Sequence, residues 1–182
     1  MWKFLLHAAL AVVGTIVQIS FLSQLPFPFS AISLPIVAIA YGIVRDRPVI
    51  SAGWALLGGL LLDLHGLLGF GSEMLALFVA FFATRFLFQR VVTNTGTPAL
   101  FLIAAAAATI RWFTLAALDG VNVLFGGVPV LIDLSATALL APVRQSLVAG
   151  GALLAYIGVG SLLSRRFQKT FLSHAPHAFS RH

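Results

Sequence analysis

Asp63, Glu73, Arg111 and Arg144 each stand inside or at the edge of a long apolar run, where little water is available to solvate a charge. An unpaired ion there is expensive, so such residues pair with one another or line a polar cavity. Pairing Asp63 with Arg111 and Glu73 with Arg144 would satisfy all four. Two roles are open to that group. It can form a polar pocket that binds an ion, proton or solute, or it can pin four helices together through ion pairs. His65, two residues after Asp63, adds an acid–histidine pair that could relay protons, although a helix end near water explains it equally well.

Other chemistry is poorly represented. There is no nucleophile elbow, no glycine loop leading to a phosphate-binding lysine, no HExxH and no acidic cluster for Mg²⁺. The glycines at 66–71 follow an apolar run, which is the wrong context for a nucleotide loop. The chain has no cysteine, which removes disulfides, thiolate metal sites and thiol catalysis. His174, His177 and His182 have neither carboxylate nor thiolate beside them, so a solvated tail is expected there. Neither an enzymatic activity nor a cofactor or metal is expected.

The elements that must carry these residues are membrane helices. The chain has 182 residues, 60% hydrophobic and only 9% charged, with a mean hydropathy of +1.04. Soluble domains carry roughly 25% charged residues, so this chain could not cover a water-facing surface. Its charges are also sorted. Asp63, Glu73, Asp119 and Asp133 surface on one side when the runs are threaded back and forth. Lys3, Arg45, Arg47, Arg85, Arg90, Arg165, Arg166, Lys169 and Arg181 surface on the other. Lys and Arg are retained on the cytoplasmic face, which orients the chain. The net charge of +6 then reflects orientation and anionic lipid headgroups rather than nucleic acid.

The runs predict helices over about residues 4–24, 31–44, 48–64, 73–92 and 98–118, and a last run within about 135–163 that is either a helix bent at Pro142 or a surface helix joined to a span of about 143–163. Pro26 and Pro28 stop the first, and Arg45-Asp46-Arg47-Pro48 makes a tight inner turn with Pro48 opening the third. Ser72 is a candidate cap for the fourth. Asp119-Gly120 should end the fifth, with 120–134 a connection containing a short interfacial helix. The expected fold is an all-α polytopic bundle of about six transmembrane helices over residues 1–164, with both ends cytoplasmic and a basic tail over 165–182. Close packing is expected along Ser51, Ala55 and Gly59 in the third helix and Gly151 and Ala155 in the last, because small residues let membrane helices approach.

Tyr41-Gly42-Ile43-Val44-Arg45-Asp46-Arg47-Pro48, then Gly58-Gly59-Leu60-Leu61-Leu62-Asp63-Leu64-His65-Gly66-Leu67-Leu68-Gly69 and Leu75-Ala76-Leu77-Phe78, together resemble the rod-shape-determining MreD family of small bacterial inner-membrane proteins. The likeness covers about residues 31–92, and Ala138 to Pro142 is a weaker echo of the family's last helix. It implies a fold similar to the substrate-binding S components of energy-coupling-factor transporters, without transport. It also implies a non-catalytic place in the cell-elongation machinery, with MreC, MreB and peptidoglycan-building enzymes as partners. Asp63 is the position the resemblance carries over, shaping an outer cavity or a partner surface. Two alternatives remain: a vitamin-type S component, and a small ion or proton-coupled carrier using Asp63 and His65.

Overall fold

A computed structural model of the chain describes residues 2–27, 29–66, 70–91 and 96–128, together with Arg144, Leu147, Val148 and Gly151. The described residues are helical, with no strand among them. Five α-helices follow one another: α1 (Trp2–Ser20), α2 (Leu34–Val44), α3 (Pro48–Asp63), α4 (Ser72–Val91) and α5 (Thr97–Leu124). Two short 3₁₀ turns, Leu22–Gln24 and Phe29–Ala31, link α1 to α2. The rest of the last expected span, with Asp133, Pro142 and Ala155, and the tail lie outside the described residues.

Successive helices run in opposite directions. Gln18 near the end of α1 meets Leu34 at the start of α2, Ser51 near the start of α3 meets Ile39 of α2, and Asp63 at the end of α3 meets the start of α4. Arg45, Arg47, Arg85 and Arg90 therefore gather at one end of the bundle, and Asp63, Glu73 and Asp119 lie toward the other. Among these described residues the charge sorting read along the chain is a sorting in space.

Helix lengths differ from a six-span threading. Three helices are long and apolar enough to cross a membrane: Leu5–Gln24, Ser72–Arg90 and Pro98–Leu124. This is a membrane protein by that criterion, but α2 with 11 residues and α3 with 16 fall short of the roughly 20 needed to cross a bilayer core. The cause is visible at the α1–α2 connection. The amide of Leu34 donates to Gln18 Oε1 at 2.7 Å, so α2 starts level with the last turn of α1 rather than above it. The 3₁₀ segment takes up the residues that would have lengthened α2.

α2 is apolar through most of its length and buries seven of its eleven residues, as a helix packed on several neighbours should. Its Ile36, Ile39 and Ile43 pack with Ala55 of α3, Leu77 and Phe81 of α4, and Ile103, Ala104 and Ala107 of α5. The alanine run of α5 thus supplies a smooth face against its neighbours. The outward faces of α1, α4 and α5 remain apolar, with Leu6, Leu10, Val13, Phe82, Phe86 and Phe113 exposed.

α5 does not stop at Asp119-Gly120. It continues to Leu124 and closes in a Schellman turn, where Gly126 takes φ 85°. The Gly126 amide donates to Val123 O at 3.0 Å and the Gly127 amide to Asn122 O at 2.9 Å, which satisfies the last carbonyls. Asp119 alone could not end the helix. The left-handed residue needed for that stop lies seven positions later, at Gly126.

Candidate functional site

The polar residues singled out in the sequence converge where α3 ends and α4 begins. Gly71 adopts φ 98°, a conformation open to glycine because it lacks a Cβ. Its carbonyl accepts the Leu75 amide at 2.9 Å, so Gly71 is the N-cap of α4 and Ser72 the first helical residue. A glycine cap has no side chain to receive the orphan amides of the first turn. Asp63, eight residues earlier, supplies it. Asp63 Oδ1 accepts the Glu73 amide at 2.7 Å and Oδ2 the Met74 amide at 3.0 Å. These are the second and third helical amides, the pair a local Ser or Asp cap would serve. Ser72 is therefore not the cap; its Oγ donates to Asp63 Oδ1 at 3.4 Å.

An acid in the last turn of α3 opposes that helix's own dipole. Aimed at the positive N-terminus of α4, the same carboxylate is stabilised instead. Asp63 is only 6% exposed, and its charge is held by amide dipoles rather than by a cation. That removes it from the expected pair with Arg111.

Arg111 pairs with Glu73. The guanidinium grips the carboxylate in a fork, Nε to Oε2 at 3.0 Å and Nη2 to Oε1 at 2.6 Å, joining α4 to α5. The two side chains are 15% and 14% exposed for Glu73 and Arg111, so the pair is largely shielded and the paired geometry is the strong kind. Arg144, expected to meet Glu73, stands elsewhere. Its guanidinium lies 4.2 Å above the Phe27 ring, a cation–π contact with the α1–α2 connection. Glu73 sits in the first turn of a helix packed directly against α5, which explains why Arg111 takes it.

His65 is exposed, with Nδ1 3.3 Å from Leu61 O. Among the described residues no group of three or more His, Asp or Glu side chains could hold a metal. Asp119, expected at the end of the fifth helix, is fully buried within α5 and is not without a partner. Its hydropathic surroundings were the available signal, since apolar residues flank it on both sides.

Close backbone contact holds this junction. A Cβ on Gly59 would lie 2.5 Å from Met74 Cα, so α3 and α4 touch backbone to backbone directly below the cap. Ala55, one turn earlier, is in the core, and Ser51 donates to Ile39 O at 3.0 Å. The stripe Ser51–Ala55–Gly59 thus packs α3 against α2 at one end and α4 at the other. Gly151 is exposed, and Ala155 lies outside the described residues.

Chemically, the assembly clamps three helices. Each carboxylate oxygen of Asp63 and Glu73 has at least one donor, and the Arg111 fork is filled. Nearby, Phe70, Ser72 and Leu75 face Leu118, Val121 and Asn122 across a shallow hollow of about 410 Å³. No protein-family model, no curated protein and no solved structure matches this chain.

Proposed function

We propose that the chain is a non-catalytic integral membrane subunit of the MreD type, a scaffold within the bacterial cell-elongation machinery. In this reading it lies in the inner membrane with the arginine-rich end cytoplasmic. It binds an MreC-like protein with one N-terminal span and a periplasmic coiled coil, and through it other elongation proteins. One observation carries the reading. Asp63, the residue that the resemblance singles out, has its carboxylate committed to two α4 amides and the Ser72 hydroxyl. A carboxylate so engaged shapes a helix junction; it is poorly suited to bind and release a solute or proton.

The test is purification of the full chain from detergent-solubilised membranes with mass spectrometry of what accompanies it. Retention of a single-span coiled-coil protein, weakened in Asp63→Asn, is the expected result. A tightly bound small molecule with no such partner would replace the scaffold by a solute-binding subunit. The hollow between Phe70 and Asn122 is the observation that favours this second reading. Its mostly apolar walls weigh against a polar vitamin or ion.

A further inference from the structure

A second cavity runs along α2 from Leu34 to the turn at Arg47, away from the clamp between α4 and α5. It measures about 350 Å³, within the range of small-ligand sites, and runs between α1, α2 and α3. Leu34, Val37, Ala38 and Tyr41 line it from α2, a spacing of three and four that marks one continuous face of that helix. Leu10 on α1 and Trp54 on α3 form the facing walls. α1 packs mainly on α3 and makes far less contact with α2, which leaves the α1–α2 seam open.

The two ends of this furrow differ in chemistry. Around Leu34, Val37 and Leu10 it is wholly apolar. At the other end Arg47, Tyr41 and His7 join the lining. Arg47 is well placed to hold an anion, because its backbone is fixed on both sides. Its amide donates to Gly42 O at 2.8 Å, and its carbonyl accepts the amides of Ile50 and Ser51 at 3.1 and 3.3 Å. Asp46 beside it takes φ 51°, completing the turn. The Arg45 guanidinium lies 5.6 Å from the centre of the Tyr41 ring, which keeps a second cation at the same rim. Two arginines against the single acid Asp46 leave the rim basic.

We infer that this furrow is a binding site for an anionic phospholipid of the leaflet that meets Arg47. One acyl chain lies along Leu34–Tyr41, and the phosphate meets Arg47 and Arg45. The polarity gradient matches a lipid's own, from charged headgroup to hydrocarbon, and basic pockets between helices at the cytoplasmic surface recruit such headgroups. Tyr41 and Trp54 suit the boundary between the two zones. The site needs only a membrane around the bundle. It stands whether or not the scaffold reading does.

The experiment is native mass spectrometry of the full chain in detergent, titrated with phosphatidylglycerol, phosphatidylcholine or glycerol 3-phosphate. Wild type should retain phosphatidylglycerol over phosphatidylcholine. Arg47→Gln should lower phosphatidylglycerol retention about fivefold, the effect of one basic residue near an anionic surface. Ala38→Phe, which fills the furrow, should lower retention of the intact lipid, while Arg90→Gln, outside the furrow, should not. Equal losses in Arg47→Gln and Arg90→Gln would mean unspecific annular lipid and overturn the site. So would glycerol 3-phosphate binding as well as the lipid, since the furrow would then add nothing. Because Arg47 is exposed, its variant keeps the fold, and unchanged retention in it would equally defeat the proposal.

Discussion

The two ends of this bundle solve opposite problems with the same few helices. At the acidic end, α3, α4 and α5 are locked by Asp63 on the α4 amides and by the Glu73–Arg111 fork. At the basic end, α1, α2 and α3 part around an apolar furrow with an arginine rim. The difference teaches where polar residues hold a membrane bundle together. Lipid is as apolar as leucine, so burying leucine gives helices no reason to associate. Charge-assisted contacts tie α3, α4 and α5 together even beside the hollow at Phe70, whereas the α1–α2 seam parts along the furrow.

Removing the fork is the hardest blow to that contrast. Arg111→Gln leaves Glu73 shielded and without its cation, a loss of about 3–5 kcal/mol for a buried pair. The melting temperature in detergent should fall by more than for any change at the basic end, and Glu73→Gln with Arg111→Gln should recover much of it. A single variant that melts like wild type would mean the acidic end is not the locked one. Gly59→Val comes next. Its new side chain would press on Met74 Cα, which is backbone and cannot rotate away, so about 1–3 kcal/mol of overpacking is expected. The same measurement reads it. Gly53→Val, with nothing within 4 Å of its Cβ position, should be nearly silent.

Much of the acidic end was legible from residue types, yet its wiring was not. That Asp63, Glu73 and Arg111 share a depth follows from counting residues along apolar runs. Which acid meets which base depends on helix lateral order and rotation, which spacing does not encode. Gly71 held a usable signal, since a glycine cap before Ser72-Glu73 implies amides needing a distant acceptor. The three long apolar helices were legible for a simple reason: length and hydropathy suffice. The shortness of α2 was legible too, since Pro35 and Arg45-Asp46-Arg47-Pro48 bound that run at about 31–44; that Leu34 starts level with Gln18 of α1 was not, because it is a contact between residues in different runs. The furrow was not legible, because which helices part at a seam depends on lateral packing that spacing does not encode.

Asp63→Asn sharpens the comparison at a finer scale. The amide keeps one acceptor for Glu73 or Met74 and turns an NH₂ toward the other amide, so one helix-capping bond is lost. About 1–2 kcal/mol should follow, read as a lower melting temperature and as faster amide exchange over the first turn of α4. Exchange confined to that turn identifies capping as the role. Exchange spread evenly over α3, α4 and α5 would make Asp63 a general packing residue instead.

The smallest effect belongs to Ser51, the polar link on the furrow side. Its hydroxyl donates to Ile39 O at 3.0 Å, and that carbonyl lies inside α2, where its own helical partner already satisfies it. Side-chain hydrogen bonds between membrane helices average about 0.6 kcal/mol, so Ser51→Ala should cost no more than that. A melting temperature within a degree or two of wild type is the expected outcome. A drop as large as that of Asp63→Asn would show that the basic end is also held by polar contacts, and the contrast between a locked end and an open one would fail.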